Sequence, residues 1–428
     1  MKPTAPPLFR DRSFWGMTAT QFLGAFNDNL FKQLVLLLAV GTVGGVALAG
    51  ENVDTSKKSQ DIQWLAMICF STPFLLFSGF AGYLSERYSK RNVILICKIA
   101  EIGIVLLGMG AFALWNISGM SGLLLVLFLM GTHSAFFGPG KWSILPELFP
   151  KSDLPQANGV ILMTTFLAII FGTALAGILR DWLGVERLWL ASVACLVVAL
   201  LGTQTAWMIR PLPAANPDLK FGLSALAVPG EIVALLRRDS ALLKTMLASC
   251  MFWHIGGIVH PSVNSLGIKQ FGLTDGPTSL LAACMGIGIA LGCVTAGKLS
   301  QSRVNFTLVR IGAWMIVLML GLLALPGEGK WNLLGHSGTM VVLVLLGVFA
   351  GFFAVPLQVF LQSRPPELLK GQAIATTNLA NWIAIVASAG VYKLFDLLIT
   401  MVEVPRATIF ALTALLMLPV ALFYKPRE

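Results

Sequence analysis

The sequence predicts an all-α polytopic membrane protein, with twelve transmembrane helices in two six-helix bundles. Three observations carry that prediction. Hydrophobic residues make up 56% of the chain and charged residues only 12%, where a soluble domain carries about 25% charged residues. Apolar runs recur along the chain, each close to the roughly 20 residues that a helix needs to cross a bilayer. The Lys and Arg residues gather in the short breaks between those runs. The formal charge of +10 therefore reads as loop charge at a membrane face, not as a nucleic-acid surface.

The predicted spans lie at about 16–48, 62–83, 92–114, 121–141, 156–179 and 188–208, then about 241–268, 278–299, 305–325, 337–363, 370–396 and 405–424. The longest break, 209–240, separates six from six. It holds Pro211, Pro213, Pro217, Pro229 and Gly230. It ends in an amphipathic piece, Glu231 to Arg238, suited to lie on the membrane surface. The expected domains are thus a bundle over 1–208, a cytoplasmic linker over 209–240 and a bundle over 241–428. With both termini on one side, that side collects about 20 basic residues and the other about 8. Arg237, Arg238, Arg303 and Arg310 fall on the rich side, and Glu51, Asp54 and Asp61 on the poor side. Both termini are therefore expected in the cytoplasm. Lys2, Arg10 and Arg12 before an apolar run, with Ala47-Leu-Ala49 beyond it, imitate a signal peptide. That run is about twice the length of a signal-peptide core and contains Asp28 and Lys32, so it is read as a retained first span. The six Cys residues (69, 97, 195, 250, 284 and 293) all sit in apolar stretches without metal-type spacing and read as small hydrophobes.

The first span carries the strongest functional signal. Charge at mid-bilayer depth costs at least about 2.5 kcal/mol on insertion scales. Yet Asp28 and Lys32 lie near the middle of this run, four apart, on one helical face where they can neutralise each other. Asn27, Asn29 and Gln33 add groups that lipid cannot satisfy. Such a face must look at other helices or at a wet cavity. Lys98 and Glu101, three apart in the third span, are expected to neutralise each other inside the first bundle. Gly288-x-x-x-Gly292 and Gly347-x-x-x-Gly351 permit close helix packing.

The two halves repeat. Gly82-Tyr-Leu-Ser-Glu86-Arg87-Tyr-Ser-Lys90-Arg91 after the second span has a degraded copy, Gly297 to Arg303, after the eighth. Phe136-Phe137, Pro139, Pro146-Glu147-Leu148 and Asn158 recur as Phe352-Phe353, Pro356, Pro366-Glu367-Leu368 and Asn378. This offset implies two bundles related by an axis along the membrane normal.

The pattern Gly82, Glu86, Arg87, Lys90, Arg91 resembles the loop signature of the major facilitator superfamily, which implies a major facilitator fold. An acid and several bases there are suited to latch the cytoplasmic face in one state and release it in another. Two further stretches resemble the bacterial lysophospholipid transporters: Gln21-Phe-Leu-Gly-Ala-Phe-Asn-Asp28-Asn29, and Phe137-Gly-Pro139-Gly-Lys141-Trp-Ser-Ile-Leu-Pro146-Glu147-Leu148. So do Gly351-Phe-Phe-Ala-Val-Pro356-Leu-Gln358 and Gly371-Gln-Ala-Ile-Ala. This resemblance implies an inner-membrane flippase that moves lysophosphatidylethanolamine-type lipids to the cytoplasmic leaflet, where an acyltransferase acts downstream. It matches Asp28 to the family's first-span acid, and Lys141 and Glu147 to a charged pair at the end of the fourth span. Where an Arg stands in the family's seventh span, this chain has His254.

The expected head-group contacts are Asp28, Asn29, Lys32, His254, His260, Gln358, Gln362, Asn378 and Asn381. The gating set is Gly82, Glu86, Arg87, Lys90, Arg91, Lys141 and Glu147, with Lys141 and Glu147 expected to pair. Each amide has a second reading as a hydrogen bond between helices. The alternative function is a proton-coupled exporter of amphipathic drugs or siderophores, with Asp28 carrying the proton. No enzyme is predicted. None of His133, His254, His260 and His336 has an Asp five positions on, as a fused acyltransferase would require. No cofactor, metal or nucleic-acid motif is present either.

Overall fold

A computed structural model describes residues 7–40, 61–150, 153–219, 228–300, 304–328, 330–366 and 369–424, apart from the side chains at 155, 156, 158 and 162. Ala47–Ala49, Glu51, Asp54, Arg303, Glu367, Leu368, the Asn158 side chain and part of the 209–240 break lie outside the described residues. In chain order the helices are α1 (Arg12–Val40), α2 (Gln63–Arg87), α3 (Lys90–Ala113), α4 (Trp115–Ser143), α5 (Leu145–Leu148), α6 (Leu154–Leu183) and α7 (Trp189–Trp207). They continue with α8 (Gly230–Arg238), α9 (Ser240–Ser265), α10 (Asp275–Ser300), α11 (Phe306–Ala324), α12 (Gly335–Ser363), α13 (Lys370–Val402) and α14 (Thr408–Phe423). A π-helical turn, Leu266–Phe271, extends α9. Among the described residues the only β feature is an isolated bridge between Pro326 and Asn332.

Eleven of these helices are long and apolar enough to cross a membrane, and α14 adds a shorter apolar helix of 16 residues. The fold is therefore the all-α, many-span class that the sequence predicts. Spanning helices satisfy their own backbone groups, which lipid cannot do, and local chemistry sets their ends. Asp239 caps α9, its carboxylate accepting from the backbone N–H groups of Ala241 and Leu242 at 3.1 Å each. Asn305 caps α11 in the same way. Gly184, with φ of 66°, ends α6, a backbone angle that costs glycine little. The sequence repeat has a structural echo: α4 and α12 are both 29 residues long, and both carry a proline in the last third, Pro139 and Pro356.

The chain divides into two compact units, Met1–Val35 with Thr72–Ala227, and Leu36–Ser71 with Val228–Glu428. In the first unit, Phe14, Met17, Ile94, Leu145 and Leu148 belong to a buried apolar cluster. Phe14 meets Phe149 edge-on at 5.8 Å. Arg210 fastens this end by donating to Asp11 at 2.7 Å and to the carbonyl of Leu148.

In the second unit the two glycine pairs do what their spacing predicts. A Cβ on Gly288 would stand 2.0 Å from the carbonyl oxygen of Val344, and one on Gly292 2.2 Å from that of Val348. From the other side, a Cβ on Gly347 would stand 2.3 Å from the carbonyl oxygen of Met285. So α10 and α12 touch backbone to backbone, where a methyl group has no room. The amphipathic piece forms α8, which buries Ile232. Arg364 secures the adjacent cap by donating to Asp239 at 2.8 Å.

Candidate substrate site and its charged neighbours

The α1 helix positions polar groups along two stripes. Gln21, Asp28 and Lys32 follow one another at helical spacing on one side, while Thr20, Gly24 and Asn27 share the other. The first stripe holds the candidate substrate groups. Asp28 Oδ2 accepts from the Ser134 hydroxyl of α4 at 2.5 Å. Its other oxygen, Oδ1, is buried with no hydrogen-bond partner among the described residues. Lys32 donates to Asn29 at 3.0 Å. Asp28 thus has a neighbour that the sequence did not name, Ser134, while Lys32 is held by Asn29. Lys141 of α4 lies within electrostatic reach of Asp28 and donates to Thr165 of α6 at 3.2 Å. Thr165 in turn donates to Gln21 at 2.8 Å, and Gln21 donates to Thr164 at 2.6 Å. One anion and two cations therefore stand together in the first unit, held by hydroxyl and amide groups from α1, α4 and α6.

Behind them lies a fully buried charged cluster. Lys98 and Glu101 pair within α3 as their spacing predicts, with side chains 1% and 0% exposed. The carboxylate does more than neutralise the lysine. Its Oε1 accepts from Asn27 of α1 at 2.8 Å, and its Oε2 stands 3.5 Å from Nε2 of His133 of α4. Asn27 also donates to the carbonyl of Cys195 in α7 at 3.2 Å. Glycines make room for the lysine. A Cβ on Gly202 would stand 2.8 Å from its Cε, and one on Gly24 3.1 Å from its Nζ. His133 is the residue that sequence reasoning missed. The available signal was three ionisable residues, Lys98, Glu101 and His133, in two consecutive spans.

The residues expected to gate lie within the first unit, with one change of partner. Glu147 pairs with Lys90, not with Lys141. Lys90 is buried, at 3% exposure, and also reaches Glu86 at 3.8 Å. The reason is geometric: Glu147 stands six residues after Lys141, a spacing that puts the two on different sides of a helix, and Pro146 lies near the start of the short helix α5 that carries Glu147. Lys141 instead covers the ring of Trp142 at 4.9 Å. Arg87 donates to the carbonyl of Leu219 at 2.7 Å and to Tyr83. Arg91 donates to the carbonyl of Ile209 at 2.8 Å and stacks on Trp207. Beside Gly82, the loop signature thus anchors the stretch that follows α7.

The second unit treats its candidates unequally. His254 is half-buried, with Nδ1 2.9 Å from the carbonyl of Ala384 in α13. Nδ1 therefore carries a hydrogen, since a carbonyl only accepts. Asn381 is buried and accepts from Ser249 at 3.1 Å, which is the helix-to-helix bond of its second reading. His260 is half-buried, while Gln358, Gln362 and Asn378 are exposed. Another polar group in this unit was not foreseen. Asp61, just before α2, is 1% exposed. It accepts from Tyr392 of α13 at 2.8 Å and lies 3.6 Å from Lys269. Gln63 beside it donates to the carbonyl of Pro261 at 3.1 Å and accepts from Asn264 at 2.9 Å. Burial pushes the Asp61 carboxyl above its ordinary range, despite the nearby Lys269 and the Tyr392 hydroxyl.

A helical protein of many spans that buries carboxylates, ammonium groups and an imidazole inside them has the build of a membrane transporter. Residues 21–389 match the Major Facilitator Superfamily, and the chain belongs to that family. It is 29% identical over 397 residues to the lysophospholipid transporter LplT of Escherichia coli O1:K1, covering 89% of each chain. It is also 29% identical over 398 residues to LplT of Klebsiella pneumoniae subsp. pneumoniae, covering 91% of this chain and 90% of that one. Among solved structures it resembles a POT family transporter in complex with 5-aminolevulinic acid, with a TM-score of 0.71, 12% identity, and 96% and 95% of the two chains covered. It also resembles the transporter FucP in its outward conformation, with a TM-score of 0.62, 14% identity, and 96% and 97% covered. At such identities these two likenesses concern the fold alone.

Proposed function

We propose that this protein is a lysophospholipid flippase of the bacterial inner membrane. It moves lysophosphatidylethanolamine-type lipids to the cytoplasmic leaflet by alternating access of the halves 1–208 and 241–428, with both termini cytoplasmic. The observation that carries this reading is the pairing of an under-bonded acid with nearby bases inside the spans. Asp28 Oδ1 is buried without a partner among the described residues, and Lys32 and Lys141 lie within its electrostatic reach. A zwitterionic head offers the complementary charges, an ammonium for Asp28 and a phosphate for the lysines. The 29% identity to LplT supports the same substrate class. On this reading the protein is not an enzyme; it supplies lysolipid to an acyltransferase.

The test is uptake and re-acylation of labelled lysophosphatidylethanolamine in cells that lack their own transporter, with drug-efflux assays alongside. Wild type restores uptake. Asp28→Asn, which removes the charge and keeps the shape, reaches the membrane at normal levels but lowers uptake at least about tenfold, corresponding to about 1.4 kcal/mol of lost head-group attraction. Uptake by the well-expressed variant equal to wild type removes Asp28 from the site. Drug efflux without lysolipid uptake replaces the flippase with the exporter.

A further inference from the structure

In the second unit, α13 carries a lysine without a counter-charge from the protein. Lys393 is half-buried, and among the described residues it has no hydrogen-bond or ion-pair partner. Its ammonium instead stands 5.8 Å from the ring centre of Trp64, the second residue of α2. An aromatic face attracts a cation without cancelling its charge. Asp396, one turn further along α13, has the spacing to pair with Lys393 but pairs with Arg406. Because α13 is 33 residues long, Lys393 lies seven residues beyond its midpoint. That is about 10 Å along the axis, inside the roughly 15 Å half-thickness of a hydrocarbon core. A bare ammonium is costly at that depth, and the lysine stem lets it rise toward the head groups.

The surface beside Lys393 forms a lane for one lipid. One turn toward the helix midpoint, Gly390 is exposed, and a Cβ there would meet nothing within 4 Å. Ala387 and Ile383 continue the exposed lane. From Lys393 to Ile383 it runs for about 15 Å, roughly the depth of one leaflet. On the other flank, Ile258, Tyr392 and Phe395 pack against Trp64, whose indole N–H is buried with no hydrogen-bond partner among the described residues. The seam of α2 and α13 thus offers an unpaired cation and an unused donor. The carboxylates nearby in the chain, Asp61 and Asp396, are already bonded to Tyr392 and Arg406, so neither is left to receive an ammonium. A head with a phosphate and no ammonium fits this set, and a zwitterionic head does not.

We infer that this seam is a site for one anionic phospholipid, separate from the cargo. Its phosphate takes the Lys393 ammonium, the Trp64 N–H is the next donor inward, and an acyl chain follows Gly390, Ala387 and Ile383. With both termini cytoplasmic, as proposed above, the lipid belongs to the extracytoplasmic leaflet; the binding itself does not depend on that orientation. Lys393 comes from α13 and Trp64 from α2. Their chain neighbours Tyr392 and Gln63 already join the same two helices from the inside, at 3.3 Å. The lipid therefore acts as an outside clamp on this seam, and its binding raises the stability of the protein.

The test uses the full chain in detergent micelles with added lipid, read by native mass spectrometry and by thermal unfolding. Phosphatidylglycerol stays bound to wild type and raises its melting temperature at concentrations where phosphatidylethanolamine does neither. Lys393→Met, which keeps the apolar stem, holds one phosphatidylglycerol fewer, and the concentration needed for the thermal shift rises about tenfold, the worth of one charge-assisted hydrogen bond. Lys393→Arg keeps both effects, because a guanidinium also binds phosphate. Lys330→Met, at an exposed lysine between α11 and α12, changes neither, which separates this site from general attraction to a chain of net charge +10. Equal retention of the two lipids by wild type, or the same retention and thermal shift in Lys393→Met, overturns the inference. Displacement of phosphatidylglycerol by lysophosphatidylethanolamine in wild type but not in Asp28→Asn places the lipid on the cargo path and overturns the separate site.

Discussion

Removing both members of the Lys98–Glu101 pair should cost less than the two single removals added together, and the two single costs should differ. Both side chains are essentially inaccessible, at 1% and 0% exposure. Breaking a buried pair leaves an uncompensated charge, at a cost of about 3–5 kcal/mol. Glu101→Gln belongs at the upper end of that range. Its amide keeps an acceptor for Asn27 only by turning its NH2 toward the Lys98 ammonium, donor against donor. Lys98→Met is milder, since Glu101 keeps Asn27 and has His133 3.5 Å away. The apolar stem of Met also fills the space that Gly24 and Gly202 leave for lysine. The double variant removes both charges and should cost less than the two single costs together, by about 2–3 kcal/mol of coupling. Reversible unfolding in mixed micelles, followed by circular dichroism at fixed pH, measures all four corners of the cycle. Additive costs, or Lys98→Met at least as damaging as Glu101→Gln, would refute the assignment of Glu101 as the shared acceptor.

Charge reversal at Lys90, tested as Lys90→Glu, should abolish transport, and adding Glu147→Lys should restore a measurable part of it. The companion swap of Lys141 with Glu147 should not, and rescue there instead would disprove the observed pairing. Gly288→Ala places a methyl group 2.0 Å from a backbone oxygen and should lower stability by roughly 1–3 kcal/mol or more, whereas Gly297→Ala, with open space around it, should stay near wild type in the same thermal-shift assay. The Asp61 carboxyl sits above its ordinary range, so the folded state favours its protonated form. Its stabilising contribution is then complete below the ordinary aspartate range and is lost as pH climbs through the raised value. Stability measured against pH should fall across that window in wild type and flatten in Asp61→Asn; an unchanged slope in the variant contradicts the assignment.

How much of this was legible in the sequence depended on whether a feature is local. Span positions, glycine pairs and the Lys98–Glu101 pair are written in short-range spacing, because a helix brings residues three, four and seven apart to one side. The Lys90 partner of Glu147 was not legible, since the two lie 57 residues apart on different helices, whereas the six-residue spacing of Lys141 and Glu147 already argues against their pairing on one helix. The cluster of Asp61, Gln63, Tyr392, Asn264 and Lys269 was hidden for a related reason. Its members come from distant stretches of chain, and Asp61 reads from the sequence as ordinary loop charge. His133 was overlooked because a lone histidine in an apolar run carries no pattern of its own. It becomes conspicuous only when α3 sets Glu101 against it.

The two polar layers of the first unit follow from one constraint on α1. Thr20, Gly24 and Asn27 turn to α3 and α7, where Lys98 and Glu101 need bonded company if they are to stay charged in a dry place. Gln21, Asp28 and Lys32 lie on the other stripe, and there Asp28 keeps one oxygen unbonded among the described residues. A helix that only filled space would not need both. Replacing the rear cluster by apolar residues of equal volume would be close to neutral for folding by the general rule for buried pairs, so stability alone does not account for its presence. On the proposed function, what such a replacement would remove is the counter-charge around Asp28, so the rear layer would tune the front one, and the two should be altered together when transport, rather than folding, is the quantity measured.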